Sequence, residues 1–167
     1  MPSVRAVNLL LVVALAAPSL ATAEPRRPDA TSAAAVSRGL VLQFMNEQRQ
    51  KRGLPPLQRS TRLDAAAADR MRDMFERRYF DHVAPDGAPP FVSVRERGYA
   101  YTAVGENLAA GQRAARQVVD QWMRSKGHRA NILGDFEDIG IAIASGSPTW
   151  ESDGYTFVVL YGRERRP

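Results

Sequence analysis

The sequence predicts an α+β fold in a single domain. Three segments carry apolar residues at helical spacing, two later segments carry them in strand patterns, and no internal repeat divides the chain. At 167 residues, with 44% of them hydrophobic and no cysteine, the chain can bury a sufficient core without disulfides.

The N-terminal 23 residues read as an export signal. Arg5 gives a weakly positive start, residues 9–17 are an uninterrupted apolar run, and Ala21-Thr22-Ala23 matches the small-x-small pattern that precedes cleavage, here before Glu24. Pro18 stops the run well short of the roughly 18 to 20 apolar residues that a membrane-spanning helix needs. The expectation is a secreted or periplasmic protein with no membrane span in its mature form. Residues 24–35 are expected to be a flexible leader, 36–163 the folded domain and 164–167 a tail; Arg163 also reads as the start of a loose end. Removing Arg5 with the signal takes the formal net charge from +5 to +4, and acidic residues are interspersed among the arginines. Such a mixed surface is a solvated one, and nucleic acid is not expected as a partner.

Residues 34–52 place Val36, Leu40, Val41, Phe44 and Met45 on one helical face, with Thr31 or Ser32 as the cap, and Gly53-Leu54-Pro55-Pro56 ends that helix. Ser60 caps a second helix whose apolar face is Leu63, Ala66, Ala67, Met71, Met74 and Phe75. On its outer side Arg72 and Glu76, and Asp73 and Arg77, are spaced to pair. Tyr79 and Phe80 then dock in the core and steady His82. Pro85-Asp86-Gly87 is a turn, with proline presetting one torsion and glycine freeing the exit. Pro89 and Pro90 stiffen the loop, residues 91–97 form a short helix, and Gly98 ends it.

Tyr99 and Tyr101 alternate as a strand that leads into Gly105-Glu106-Asn107, which reads as a glycine-flanked turn. A third helix over residues 112–126 carries Ala114-Ala115, Val118-Val119 and Trp122-Met123 on a broad stripe, so Trp122 is a core residue. Gly127 is its left-handed terminator, which delivers His128 just past a helix end. Ile139, Ile141 and Ile143 alternate with Gly140, Ala142 and Ala144 as a strand; Gly146-Ser147-Pro148 turns the chain. Residues 155–161 are apolar on both faces, the mark of a central strand.

His82 and His128, with Glu106 between them, are the candidate site residues. Imidazole and carboxylate are zinc ligands, and two histidines with one acid leave the open position of an exchangeable or catalytic centre. Asn107, Asn131 and Ser125 stand beside them as candidate binding groups. No His-Glu-x-x-His string is present, neither Ser93 nor Ser125 sits in a Gly-x-Ser-x-Gly elbow, and no glycine-rich phosphate loop occurs. Covalent catalysis is therefore discounted. Three readings remain. The first is a cleft that binds a small ligand or partner, with zinc or another divalent cation held by His82, Glu106 and His128. The second is a metal-dependent hydrolase in which Glu106 is the general base toward a metal-bound water and Asn107 or Asn131 steadies negative charge. In the third, the trio bridges helix ends and is structural. Tyr79, Tyr99 and Tyr101 either line a cavity or pack beneath it.

Taken together, Asn46-x-x-Arg49, Leu54-Pro55-Pro56-Leu57, Phe80-Asp81-His82, Pro85-Asp86-Gly87, Gly105-Glu106-Asn107-Leu108-Ala109, Val118-Val119-x-x-Trp122-Met123 and Ser125-x-Gly127-His128-Arg129-x-Asn131-Ile132-Leu133 come in a telling order. Their order and spacing resemble the bacterial branch of the CAP superfamily, the SCP-like relatives of cysteine-rich secretory proteins, antigen 5 and pathogenesis-related 1 proteins. The resemblance covers residues 36–161. It implies a three-layer α-β-α sandwich with a central cavity, where two histidines and acidic residues gather and bind a divalent ion in several members. His82, Glu106 and His128 match cavity positions. The fourth position, an acid three residues after the helix tryptophan in many eukaryotic members, falls on Ser125. The absence of cysteines also departs from the disulfide-bonded eukaryotic branch. The family's links to lipid or sterol binding, defence and extracellular signalling imply a small molecule, lipid or extracellular protein as partner, and a monomer is expected.

Overall fold

A computed structural model describes residues 36–165. The export signal, its cleavage point, the leader and the Thr31 or Ser32 cap lie outside the described residues. The elements run α1 (Arg38–Gln50), β1 (Gln58–Arg59), α2 (Thr61–Glu76), α3 (Val92–Glu96), β2 (Tyr101–Gln112), α4 (Ala115–Arg124), α5 (Lys126–Ile132), β3 (Asp138–Ser145) and β4 (Tyr155–Glu164).

The strands form one sheet in the order β1-β3-β4-β2. β4 is antiparallel to both β3 and β2, and β1 pairs parallel with β3. Strand alternation divides β4 between two cores. Phe157, Val159 and Tyr161 pack with Val41, Met45, Val118 and Trp122, while Val158 and Leu160 pack with Leu63, Met71, Met74 and Val94. The sheet is thus covered by α1, α4 and α5 on one face and by α2 and α3 on the other. That is a three-layer α-β-α sandwich, and it explains why residues 155–161 are apolar on both faces. The α2 layer sits very close to the sheet: a Cβ at Gly140 would stand 2.0 Å from the Leu63 carbonyl carbon.

Several local expectations change. Ser37 caps α1, its side chain accepting from the Leu40 N–H at 3.2 Å. Arg72 pairs with Asp69 at 2.6 Å rather than with Glu76, whereas Arg77 does pair with Asp73 at 3.4 Å. Gly105-Glu106-Asn107 is the middle of β2 and not a turn, because Tyr161, Leu160 and Val159 of β4 pair with it residue for residue. Gly105 is needed there for close approach, since a Cβ would meet Asn131 Oδ1 at 2.9 Å. Gly127 does not end the third helix. The extended torsions of Ser125 (φ −89, ψ 126) break it, and a new helix starts with the Arg129 N–H bonded to the Ser125 carbonyl at 2.9 Å. His128 therefore lies inside α5 and not past a helix end. β4 runs through Arg163 and Glu164, which the sequence assigns to a loose end, and Glu164 is tied to Arg62 at 2.5 Å.

At the other end of α2, Arg78 adopts φ +54 and the Tyr79 N–H returns to the Met74 carbonyl at 3.1 Å. This is a helix stop at which glycine is usual. Arg78 is the one non-glycine with positive φ among the described residues.

Candidate functional site

β2 is an edge strand, and its alternation sends Glu106 toward α2 and Asn107 toward α5. The Glu106 side chain is 1% exposed and the Arg70 side chain 6%, with Arg70 Nε–H donating to Glu106 Oε2 at 3.1 Å. The other carboxylate oxygen, Oε1, lies 2.7 Å from His82 Nδ1. A carboxylate paired with a guanidinium only accepts, so the His82 proton on this side sits on Nδ1 and leaves Nε2 facing outward.

Arg70 also holds the backbone that carries the histidine. Its Nη2 donates to the carbonyls of Asp81 at 2.5 Å and His82 at 2.6 Å, and its Nη1 to the Tyr79 hydroxyl. That hydroxyl donates in turn to Asp73, and burial together with Asp73 pushes the Tyr79 pKa up to about 12. Tyr79 thus packs beneath the site, whereas Tyr99 is buried elsewhere, its hydroxyl donating to Asp138 at 2.7 Å with the Arg62 guanidinium over its ring. The loop after α2 is pinned from below by one buried cation.

The two imidazoles are driven in opposite directions. The hydrogen bond to Glu106 raises the His82 pKa above the ordinary 6.5, against a smaller opposing effect of burial. Half of the His82 side chain is exposed. Burial lowers the His128 pKa, and positive charge on His82 lowers it further. The His128 ring lies 6.4 Å from that of Trp122, tilted by 53°. His82 is therefore the more basic imidazole and His128 the less basic one, a split suited to proton transfer or to binding a group that both accepts and donates.

The remaining candidates are structural. Asn107 Nδ2 donates to the His128 carbonyl at 3.1 Å and to the Tyr161 hydroxyl at 3.0 Å. Asn131 Nδ2 donates to the Glu106 carbonyl at 3.0 Å and to Asn107 Oδ1 at 2.8 Å. These amides weld α5 to β2 and are spent, so neither is free to steady a developing charge. Ser125 serves as the break between α4 and α5.

Both Glu106 oxygens are already engaged, by Arg70 and by His82, and the side chain is 1% exposed. Among the described residues no three His, Cys, Asp or Glu side chains gather as a metal cage. The set His82, Glu106 and His128 consequently does not fit a three-ligand zinc centre, and Glu106 does not fit a general base toward a bound water. Its role is to orient His82. A half-open pocket of about 240 Å³, lined among others by Arg70, Asp73, Ala84, Ser93 and Glu96, includes neither imidazole. His82 is exposed and His128 is partly buried.

Arg70 escaped the sequence reading, although it lies on the same stripe as Ala66, Ala67, Met71 and Met74. An arginine at a buried helical phase was the available signal, because such a charge needs a partner.

The sequence model described as "CAP: Cysteine-rich secretory protein family" matches residues 42–161. The uncharacterized protein YkwD of Bacillus subtilis (strain 168) is 38% identical over 133 residues, which cover 78% of this chain and 52% of that protein. The uncharacterized membrane protein YlbC of the same organism is 28% identical over 104 residues, 62% of this chain and 30% of that protein. The chain thus spans about half or less of the length of these curated relatives. Among solved structures, an outer surface protein from Borrelia burgdorferi matches with a TM-score of 0.66 at 23% identity, covering 76% of this chain and 92% of that one. An extracellular protein containing a SCP domain from Bacillus anthracis str. Ames matches with a TM-score of 0.64 at 21% identity, covering 75% and 40%. Both share the α-β-α fold.

Proposed function

We propose a binding role, starting from the premise that this chain belongs to the CAP, or cysteine-rich secretory protein, family. The protein acts in a secreted or periplasmic setting, and the face shared by His82 and His128 takes a small ligand or an exposed group of an extracellular partner. No helix among the described residues is long and apolar enough to cross a membrane. The observation that carries the reading is the 2.7 Å bond from His82 to a buried carboxylate that Arg70 already neutralises. This arrangement keeps the exposed Nε2 a ready donor, and the less basic His128 offers an acceptor beside it. Their natural ligand presents an oxyanion, such as a carboxylate or phosphate, next to a hydrogen-bond donor. A divalent cation would find only the two imidazoles as protein ligands, with Glu106 orienting one of them, which makes a weak and exchangeable site.

The test is a two-dimensional imidazole NMR titration with malonate and, separately, inorganic phosphate. Binding at one face shifts both His82 and His128 with a common saturation curve. Signals that stay still, or only one imidazole responding, would refute a shared site.

The dyad also favours a second reading, a hydrolase whose general base is His82 with Glu106 behind it. A panel of peptide, ester, cell-wall and nucleic-acid substrates discriminates: turnover abolished by His82→Ala supports an enzyme, and a panel without turnover supports binding alone.

A further inference from the structure

Two large apolar side chains stand exposed among the described residues, Val83 at 50% and Trp150 at 48%. Trp150 lies in the connection from β3 to β4. Its indole meets the Phe80 ring at 5.8 Å with the planes 84° apart, so a perpendicular contact holds the ring while much of its surface stays open. Beside it is a shallow depression of about 700 Å³ lined by Arg78, Ser147, Thr149, Trp150, Glu151 and Ser152.

Arg78 is the unexpected member. Its backbone takes the left-handed conformation at a helix stop where glycine would be relaxed. Among the described residues its guanidinium makes no hydrogen bond, ion pair or ring contact, so nothing inside the fold repays the strained position. The loop opposite is braced from within. The Gly154 N–H donates to Ser152 Oγ at 3.1 Å, and Thr156 Oγ1 donates to the Gly146 carbonyl at 2.7 Å. A preformed surface loses little entropy on binding.

An open indole, an unpaired guanidinium and a rim of hydroxyls with one carboxylate are the chemistry of carbohydrate recognition. The C–H face of a pyranose covers the indole, its hydroxyls bond the rim, and a sugar carboxylate takes the guanidinium in a two-point bond. The depression is too open to enclose an apolar peptide side chain, which argues for a flat polar ligand. We infer that the Trp150 and Arg78 depression is a binding site for an acidic saccharide, a pyranose chain bearing carboxylates. The inference stands apart from the histidine face and does not depend on its ligand.

The chain has two tryptophans, and Trp122 is fully buried, so a ligand-dependent emission change reports on Trp150. The full chain is titrated with a hexasaccharide of alternating glucuronic acid and N-acetylglucosamine, with neutral cellohexaose, and with hexaglutamate. The expected result is a saturable change with the acidic hexasaccharide, and affinity about ten-fold weaker for cellohexaose from loss of the charge-assisted bond. Trp150→Ala should abolish the interaction when it is followed by calorimetry. Arg78→Gly should weaken the acidic sugar toward the neutral one while leaving the melting temperature unchanged or higher, which separates binding from folding. No saturable response to the acidic hexasaccharide, equal affinity for cellohexaose, a stronger response to hexaglutamate, or binding that survives Trp150→Ala would overturn the inference.

Discussion

Arg70 and Glu106, 36 positions apart in sequence, form a buried ion pair with Nε and Oε2 3.1 Å apart. The same guanidinium grips the carbonyls of Asp81 and His82, so one side chain sets both the charge balance beneath the histidine and the path of the loop that carries it.

Removing one partner leaves the other charge buried alone. Arg70→Met should therefore destabilise the fold by about 3 to 5 kcal/mol in denaturant unfolding, and the double change Arg70→Met, Glu106→Leu should recover most of the loss. His82→Ala, which touches a half-exposed ring, should cost far less. Equal losses for Arg70→Met and His82→Ala would contradict this picture.

The histidine contribution has a definite sign with pH. The folded-state pKa of His82 is raised, so the charge-dependent part of its bond to Glu106 stabilises fully below the ordinary value of 6.5 and is lost as pH rises through the folded value, although the Nδ1–H bond itself remains. The stability difference between the wild type and His82→Ala should be larger at about pH 5 than at about pH 9. His128 runs the other way: its folded value is lowered, so its contribution is complete above 6.5 and fades as pH falls through the folded value. Calorimetric melting of the wild type, His82→Ala and His128→Ala across that range checks both slopes.

Gly140 is the point where α2 rests on the sheet. Gly140→Ala drives a methyl into the Leu63 backbone, which no rotamer change relieves, and should cost about 3 kcal/mol or more. A variant as stable as the wild type would mean that α2 sits farther from β3 than this packing requires.

Arg49 fastens the other layer. Its guanidinium donates to the carbonyls of Pro55, Ile132, Gly134 and Phe136, at 2.8, 2.9, 2.8 and 3.1 Å. Arg49→Met should leave these acceptors without a donor and cost about 3 kcal/mol, with Arg49→Lys restoring only part because an ammonium lacks the planar fork. Equilibrium unfolding of the two variants gives the comparison.

The parts legible in the sequence were those set by local periodicity. The stripe of α2, the alternating isoleucines of β3 and the doubly apolar β4 all appear where their patterns put them, because burial on one face or two is written in neighbouring side chains. Gly105-Glu106-Asn107 looked like a turn because glycine and asparagine favour turns; what makes it a strand is pairing with β4, more than fifty residues downstream. Gly127 looked like a helix stop, but the break fell two residues earlier at Ser125. Asn46 and Arg49 were visible as a motif, and both prove to be fasteners, Asn46 bridging to the Leu57 backbone in both directions. The trio of His82, Glu106 and His128 was legible as a set of chemical types. Its division of labour was not, because the partner that saturates Glu106 comes from α2 and reaches it only once that helix is folded against the sheet.

The central claim is that Glu106 makes His82 the more basic imidazole while burial makes His128 the less basic one. NMR titration of both imidazoles in the wild type and in Glu106→Gln measures this directly. The account predicts that His82 titrates above 6.5 and His128 below it, and that Glu106→Gln brings His82 down toward the ordinary value. Two imidazoles titrating together near 6.5, or His82 titrating below His128, would contradict it.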